Sequence, residues 1–199
     1  NKMVGYLHIT IGPMFAGKTK QLITKYYEVV NDKNVVAINY HLDTRYGNDK
    51  ICSHDLLEIP CIMVDNIMDI WFDSKHIHFD TLNNADYVLI NEGQFFKNLD
   101  VVVRSMVENG KKVFIYALDG DFRREKFGEV LDLIPFCDFV EKRTAFCENC
   151  YNKAIFTNKN NISTNSQQVD IGVDNYKPLC RNCYDEVKST ICEQIAPVD

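Results

Sequence analysis

A segment near the N-terminus carries residue types that bind phosphate. Its sequence, GPMFAGKT, fits the pattern G-x-x-x-x-G-K-[ST] at every specified position. Glycines let successive backbone N–H groups curl around a phosphate, and the helix that follows such a loop presents its positive N-terminal end. The lysine of the pattern reaches the β- and γ-phosphates of a nucleotide, and the hydroxyl ligates Mg²⁺. The predicted phosphate loop comprises Gly12, Pro13, Met14, Phe15, Ala16, Gly17, Lys18 and Thr19.

The elements on either side of this loop agree with that interpretation. Tyr6 to Ile11 is a β-branched and aromatic run of strand length, and Lys18 to Asn31 places apolar residues at helical spacing. A strand before the loop and a helix after it are what the phosphate-binding pattern requires. The alternative is an ordinary glycine-containing turn, but such a turn has no need of glycine, lysine and threonine in that order.

Four of the eight cysteines form two C-x-x-C pairs, Cys147 with Cys150 and Cys180 with Cys183, with 29 residues between the pairs. This spacing is typical of two knuckles that build a tetrahedral Cys₄ zinc site. Four cysteine ligands leave no open position for a catalytic water, so the predicted zinc ion is structural. The remaining cysteines are interpreted as plain thiols: Cys52, Cys61, Cys137 and Cys192.

Polar residues follow two other apolar strands. Asp86 to Ile90 is followed by Asn91 and Glu92, and a carboxylate at this position beside a phosphate loop touches Mg²⁺ through water or activates a nucleophile. Val35 to Tyr40 is followed by the polar segment 41–47, where open α/β sheets bind ligands. Glu92 is therefore a candidate catalytic residue. For Asp43 and Arg45 in the polar segment, composition alone favours a surface ion pair.

Strands and helices alternate over the first part of the chain. A helix from Leu99 to Asn109 ends at Gly110, and strands are predicted at Lys112 to Leu118 and Phe139 to Lys142. This order predicts an α/β fold with a doubly wound, P-loop (RecA-like) parallel sheet flanked by helices. The predicted domains are a P-loop nucleotide-binding domain at 1–143, a small zinc-ribbon and lasso domain at 144–190, and a tail at 191–199.

The segment between the two cysteine pairs, Thr157 to Tyr176, is polar and rich in Asn, Ser and Gln. By itself this composition predicts a flexible loop. Because the zinc site holds its two ends together, we expect a lasso whose backbone groups can close over a ligand.

Composition excludes several classes of function. The net charge of −6 and the pI near 5.4 disfavour a large nucleic-acid-binding surface, which needs clustered Lys and Arg. Charges interrupt every apolar run before the ~20 residues that a membrane-spanning helix needs. With no secretion signal recognised, a cytosolic location is expected. His54, His76 and His78 show no ligand-like spacing and are assigned to surface or packing roles.

Several motifs in fixed order resemble one family. They are GPMFAGKT, LDTRYG, EGQFF, ALDGDFRREKFG and the two C-x-x-C knuckles on either side of VDIGVDNY. Together they are similar to the type II thymidine kinases, the compact zinc-containing group of such enzymes. The resemblance extends from about Leu7 to Tyr184, nearly the whole chain.

This resemblance implies transfer of the ATP γ-phosphoryl group to the 5′-hydroxyl of thymidine, with deoxyuridine a second substrate. It makes Glu92 the general base, and it places Lys18, Arg45 and Mg²⁺ on the phosphates. The rest of the implied phosphate side comprises Asp43, Thr44, Asn91 and Gln94. The implied nucleoside pocket comprises Met14, Phe95, Leu118, Phe122, Phe127, Gln167, Gln168, Val169, Asp170, Ile171 and Tyr176. A homotetramer and feedback inhibition by dTTP are also implied.

One position departs from the family pattern. Asp usually precedes the catalytic Glu in this family, and this chain has Asn91 there. The amide keeps a carbonyl oxygen that can accept from a metal-bound water, but it brings no negative charge. We therefore expect Mg²⁺ to be held more weakly while the enzyme stays active.

Two other functions remain open at the level of the residues alone. The phosphate loop does not specify the acceptor, so a kinase or NTPase that acts on another nucleoside or a small metabolite fits equally well. A zinc-ribbon module that binds nucleic acid or protein, with a vestigial nucleotide site, is the second alternative. The acidic charge balance disfavours it.

Overall fold

The computed structural model describes residues 4–41, 49–53, 55–160 and 175–195, the last seven of these by their backbone alone. Six parallel strands form one sheet, and Ile9 of its β1 strand pairs with Ile115 on one side and with Val140 on the other. In spatial order the strands are β5 (Ile62–Val64), β2 (Val35–Tyr40), β6 (Tyr87–Asn91), β7 (Lys112–Ala117), β1 (Tyr6–Ile11) and β8 (Phe139–Lys142).

The sheet is buried on both faces, which explains the nearly continuous apolar sequences of β2, β6 and β7. One face packs on α1 (Lys18–Val29) and on the hairpin of β3 (Lys50–Cys52) and β4 (Glu58–Pro60). The other face packs mainly on α2 (Ile67–Phe72) and α4 (Leu99–Glu108). A short helix, α3 (Phe79–Asn83), precedes β6.

A smaller lobe follows β8. It contains two antiparallel strand pairs and a helix, with the bounds β9 (Ala145–Phe146), β10 (Lys153–Ala154), β11 (Phe156–Lys159), β12 (Tyr176–Leu179) and α5 (Arg181–Ile195). Its apolar cluster contains Cys147, Leu179 and Tyr184, and also Ala16 from the predicted phosphate loop. The lobe therefore packs directly against the loop between β1 and α1.

The predicted α/β class and parallel sheet are confirmed. β1, β2 and β8 have the predicted bounds, α1 ends two residues before the predicted Asn31, and β6 is shifted by one residue. α4 ends at Glu108 with Lys111 N–H donating to Met106 O at 3.0 Å, a Schellman ending. Within the described ranges, no helix is both long and apolar enough to cross a bilayer.

The prediction of a loop over Thr157 to Tyr176 is wrong at both ends. Thr157 lies in β11 and Tyr176 begins β12, and their antiparallel pairing joins Lys159 to Tyr176. The polar residues of β11 are buried, and two of them contact the segments that follow β1 and β7. Thr157 Oγ1 accepts from Met14 N, and the Lys159 ammonium lies over the ring of Phe122, contacts that composition does not reveal. Residues 161–174 between these strands lie outside the described part of the chain. The β3–β4 hairpin and α5 were not predicted.

Candidate active site

The predicted phosphate loop connects β1 to α1 as the sequence indicated. Gly12 has φ +146°, and a Cβ on it would lie 2.5 Å from the carbonyl oxygen of Arg143. A side chain at this position would therefore collide with backbone, which explains the first glycine of the pattern. The backbone then turns into α1 at Gly17, with the half-buried Thr19 in the first turn of the helix.

The side chain of Lys18 folds back into the predicted phosphate loop. Its ammonium donates to the carbonyl oxygens of Gly12 at 3.0 Å and Pro13 at 2.7 Å, and the residue is only 9% exposed. Burial lowers the pKa of Lys18 to about 8, against the opposing effect of the nearby carboxylates of Glu92 and Asp119. The structure therefore places a cation in the phosphate loop within electrostatic reach of the predicted base.

Arg143, which was not predicted as a site residue, lies just after β8 and contacts this loop. Its Nε donates to Ala16 O at 2.8 Å, and its Nη1 lies 3.4 Å from Gln21 Oε1 and 3.5 Å from Glu141 Oε1. The positive charge of Arg143 also contributes to the lowered pKa of Lys18, although less than burial does. A signal was present in the sequence, because Arg143 directly follows the edge strand β8.

Glu92 follows β6 and has φ +51°, a left-handed conformation that a glutamate rarely adopts. Such strain is typical of functional positions. Gln94 Nε2 donates to Glu92 Oε2 at 2.7 Å, and Gln94 Oε1 accepts from Leu118 N at 3.0 Å. The buried Gln94 thus connects the predicted base to the first residue after β7. From the family resemblance Gln94 was predicted only to lie on the phosphate side of the site.

Asn91, at the end of β6, pairs with a second asparagine. Its Nδ2 donates to Asn39 Oδ1 of β2 at 3.0 Å, and the residues are 4% and 2% exposed. The pair is a neutral amide contact between adjacent parallel strands at the edge that carries Glu92. The Asn91 side chain contacts Asn39 through its nitrogen, so its carbonyl oxygen takes no part in this hydrogen bond.

The predicted nucleoside pocket is partly described. Phe122 and Phe127 are buried, whereas Met14, Phe95 and Leu118 are half-buried. Phe95 packs edge-on against Phe127, with ring centroids 5.5 Å apart. Gly128, at φ +67°, approaches Gln94 so closely that a Cβ would lie 2.2 Å from its carbonyl oxygen.

β11 of the small lobe reaches this region through Thr157, a residue that sequence analysis did not single out. Thr157 Oγ1 accepts a hydrogen bond from Met14 N at 3.0 Å. A cavity of about 220 Å³ beside this contact is lined by Pro13, Asp119, Gly120, Asp121, Arg124, Lys126, Leu131, Lys142, Ile155, Phe156 and Thr157. Tyr176 is half-buried in β12. The predicted residues Asp43, Thr44, Arg45, Gln167, Gln168, Val169, Asp170 and Ile171 lie outside the described residues.

The two cysteine pairs come together in the small lobe. The Sγ atoms of Cys147, Cys150, Cys180 and Cys183 all lie within 4.8 Å of one another, and those of Cys150 and Cys180 are 3.6 Å apart. Four thiolates at the usual Zn–S length sit about 3.8 Å apart at tetrahedral geometry, so the cluster fits a zinc ion. Among the described residues this is the single group of His, Cys, Asp or Glu suited to a metal ion.

Backbone hydrogen bonds favour the thiolate at Cys147. Burial raises the pKa of this thiol, but hydrogen bonds from the backbone at Cys180, Cys150 and Asn149 outweigh that effect and lower it to about 6. The pKa of the neighbouring Cys183 thiol is raised instead, mainly by its hydrogen bonds with Cys150 and Cys180, so the cluster favours a thiolate at Cys147, the form that ligates a metal.

Comparison with known proteins gives one consistent family. A family model described as thymidine kinase matches residues 5–184. The chain is 37% identical over 182 residues to "Thymidine kinase a" of Arabidopsis thaliana, covering 90% of this chain and 75% of that protein. It is also 37% identical to the thymidine kinase of Yaba monkey tumor virus, covering 95% and 99%, and 36% identical to that of sheeppox virus, covering 90% and 97%.

Proposed function

Because this chain belongs to the thymidine kinase family and phosphorylates thymidine for nucleotide salvage, we propose that ATP is its phosphoryl donor. The observation that supports transfer most directly is the proximity of Lys18 to Glu92. Lys18 binds the phosphates of the donor, and Glu92 can take the proton from the hydroxyl group that attacks. Both lie at the carboxyl ends of strands of the same sheet, where open α/β sheets bind ligands.

In the proposed reaction Glu92 is the general base. Its carboxylate accepts the proton of the thymidine 5′-hydroxyl while that oxygen bonds to the γ-phosphorus of ATP. The bond from the γ-phosphorus to the β–γ bridging oxygen breaks, which gives dTMP and ADP. Gln94 supports this role because its hydrogen bond fixes the carboxylate relative to Leu118.

The phosphate loop and its neighbours bind the donor in this proposal. The backbone N–H groups of residues 12–19 and the Lys18 ammonium hold the phosphates, with Asp43, Thr44 and Arg45 beside them as the family resemblance implies. The hydroxyl of Thr19 and the amide oxygen of Asn91 suit a hard divalent cation, which prefers oxygen ligands. When bound, Mg²⁺ supplies charge neutralisation on the β- and γ-phosphates.

The acceptor side combines the kinase sheet with the small lobe. The apolar side chains of Met14, Phe95, Leu118, Phe122 and Phe127 pack around the nucleoside base. Gln167 to Ile171 and Tyr176 read its edge, and a structural Zn²⁺ on the four cysteines holds that segment. A pocket of this kind also admits deoxyuridine. We assign phosphoryl transfer to 1–143 and acceptor closure to 144–190, with 191–199 as a tail.

Three further properties stay predictions that rest on the family resemblance. They are a homotetrameric assembly, feedback inhibition by dTTP and a cytoplasmic location. dTTP inhibition fits the proposed geometry, because a nucleoside triphosphate in the acceptor pocket extends its phosphates toward the donor site.

A coupled kinase assay tests the proposal. The chain is incubated with ATP, Mg²⁺ and thymidine, deoxyuridine, deoxycytidine or deoxyadenosine, and ADP release is followed. We expect turnover with thymidine and deoxyuridine only. Turnover with a purine nucleoside but not with thymidine would favour a different nucleoside kinase. Nucleotide binding without turnover on any acceptor would favour a binding module.

A further inference from the structure

The loop that follows β7 is organised by its own acidic residue. We call Asp119 to Gly128 the acceptor loop. Asp121 Oδ1 accepts from Arg123 N at 2.8 Å and from Glu125 N at 2.9 Å. Gly120 and Lys126 form an isolated antiparallel bridge across it. These contacts fix the internal conformation of the acceptor loop. Its position in the protein depends on its contacts with other segments.

On the side of the predicted base, two contacts anchor the loop. Leu118, just before it, donates its N–H to Gln94, and Gly128 at its end packs on the Gln94 carbonyl. Both ends of the acceptor loop therefore contact Gln94, the residue that orients Glu92.

On its other side the middle of the loop is held by the small lobe. The hydroxyl of Tyr184 donates to the carbonyl oxygen of Phe122 at 2.6 Å, in a buried contact. Tyr184 is 5% exposed and directly follows Cys183 of the metal-binding cluster. Tyr184 thus connects the two regions: it is the neighbour of Cys183 in the chain, and its hydroxyl is hydrogen-bonded to the acceptor loop.

Arg124 makes a second connection to the same lobe. Its guanidinium lies 4.5 Å from the ring centroid of Tyr184 and 5.2 Å from that of Phe156, and its Nη1 is 2.9 Å from Asp185 Oδ1. A planar cation between two rings and a carboxylate has a defined orientation.

The backbone of Arg124 has an unusual conformation. Its φ is +68°, a conformation that disfavours residues other than glycine and asparagine. Strained conformations of this kind persist where the surrounding contacts determine them. Here the backbone contacts come from within the loop, because Arg124 N donates to Asp121 O at 3.0 Å and Asp121 N donates to Glu125 O at 2.9 Å. The tight turn that they form presents the side chain of Arg124 to the small lobe.

We propose that Tyr184 and Arg124 are positioning residues, through which the metal-binding lobe holds the acceptor loop and so orients thymidine opposite Glu92. This inference rests on the proposed function, since it assigns a role to the acceptor side of the same site. It gives the cysteine cluster a role beyond folding, because metal binding fixes the residue next to Tyr184.

Loss of these contacts should affect the binding of thymidine more than the binding of ATP. A loop that loses its contacts to the lobe samples more conformations, and thymidine binding must then order it again. Among the described residues, the hydrogen bond of Tyr184 and the ion pair of Arg124 go to Phe122 and Asp185, whereas the small lobe meets the phosphate loop through the apolar cluster at Ala16. Loss of either one therefore weakens thymidine binding more than ATP binding.

Tyr184→Phe tests the proposal because it removes one hydroxyl and keeps the ring packed in the lobe. Loss of one buried hydrogen bond predicts a KM for thymidine that is ~5–10-fold higher. The KM for ATP and the zinc content should stay unchanged. The matched control is Tyr151→Phe, which alters a 79% exposed tyrosine of the same lobe and should change none of these values.

Arg124→Gln and Arg124→Lys form a second pair on the loop side. Glutamine removes the charge and should raise the KM for thymidine as Tyr184→Phe does. Lysine keeps the ion pair with Asp185 but lacks the planar guanidinium, so it should restore part of the wild-type value. An unchanged thymidine KM in both Tyr184→Phe and Arg124→Gln, or a parallel rise in the KM for ATP, would overturn the proposal.

Hydrogen exchange on the ligand-free chain separates this inference from the proposed function. Amides of residues 119–128 should exchange faster in Tyr184→Phe than in the wild type, while amides of β1 and β7 exchange at equal rates. Equal exchange in 119–128 would overturn the inference whatever the substrate is. A wild-type chain that does not phosphorylate thymidine would instead overturn the proposed function.

Discussion

Gln94 Nε2 lies 2.7 Å from Glu92 Oε2, so a buried amide fixes the carboxylate that follows β6. The oxygen of the same amide accepts from Leu118 N at 3.0 Å. Glu92 sits on a strained backbone at φ +51°, and Gln94 joins it to Leu118, the first residue after β7. The orientation of the proposed base therefore depends on a side chain two residues away.

Gln94→Met should lower kcat while leaving ATP affinity unchanged. Methionine has a similar volume but no amide, so Glu92 loses its fixed orientation and the part-buried N–H of Leu118 loses its partner. We expect a kcat ~10–100-fold lower and an unfolding free energy lower by about 1–3 kcal/mol. Steady-state kinetics and urea denaturation measure the two effects. A normal kcat in a destabilised variant would limit Gln94 to a structural role.

Glu92→Gln should keep the shape of the site and remove its basic oxygen. General-base losses run about 10²–10⁴-fold in rate, and we expect kcat to fall within this range. Binding of a fluorescent ATP analogue should be retained, because Glu92 does not hold the phosphates in the proposed mechanism. Glu108→Gln, at an exposed position on α4, is the matched control. A Glu92→Gln variant with near-normal kcat would remove this residue from the base role.

The lowered pKa of Lys18 predicts a pH dependence of ATP affinity. Burial lowers this pKa from the ordinary 10.5 to about 8, so the ammonium that binds phosphate is lost as the pH rises through 8. ATP affinity should fall between pH 7.5 and ~9.5, and calorimetry in two buffers of different ionisation enthalpy should detect proton uptake on binding. Lys97→Met, at an exposed position, should leave this dependence unchanged. An affinity that stays constant over this range would contradict the lowered pKa.

The same pKa has the opposite effect on the stability of the ligand-free fold. Because the folded pKa lies below the unfolded value, the unfolded chain binds more protons between pH 8 and 10.5. The contribution of Lys18 to unfolding free energy therefore increases with pH in this window. Comparing the wild type with Lys18→Met by denaturation at pH 7.5 and 9.5 isolates this contribution.

Asn91→Asp should strengthen metal binding and weaken the fold. A carboxylate adds a charge beside the proposed Mg²⁺ site, so the Mg²⁺ concentration for half-maximal rate should fall on the order of 10-fold. Loss of the donor to Asn39 should lower the unfolding free energy by about 1–3 kcal/mol. Mn²⁺ binding followed by electron paramagnetic resonance in the presence of ATP gives a readout independent of turnover.

The control for this change is Asn84→Asp, which adds the same charge at an exposed position. It should leave both metal dependence and stability nearly unchanged. Identical Mg²⁺ curves for the wild type and Asn91→Asp would refute the weaker binding that we attribute to the amide.

Cys150→Ser should remove the metal from the small lobe. A hydroxyl is a poor replacement for a thiolate, so the zinc content should fall well below one equivalent and thermal unfolding should begin at lower temperature. Cys137→Ser changes a cysteine outside the cluster and should keep a full equivalent of zinc. Metal content is measured with a chromophoric chelator after thiol modification. A full equivalent in Cys150→Ser would contradict ligation by all four cysteines.

Much of the fold could be predicted from the sequence because its signals are local. β1, β2 and β8 follow from apolar runs, and the glycine at 110 marks the end of α4 within two residues. The β3–β4 hairpin was missed because each strand has only three residues, too few for a periodic pattern. β11 was missed because it is polar, and its burial comes from a neighbouring element.

The sequence by itself determined the glycine-rich loop between β1 and α1, the acidic residue after β6 and the paired cysteines, since each is a short local pattern. Only the tertiary structure decided how these parts are held together. Gln94 with Leu118, Tyr184 with Phe122, Arg143 with Ala16, and Thr157 with Met14 are 24, 62, 127 and 143 residues apart in the chain. No local pattern encodes such pairs, because each contact depends on how the sheet and the small lobe pack.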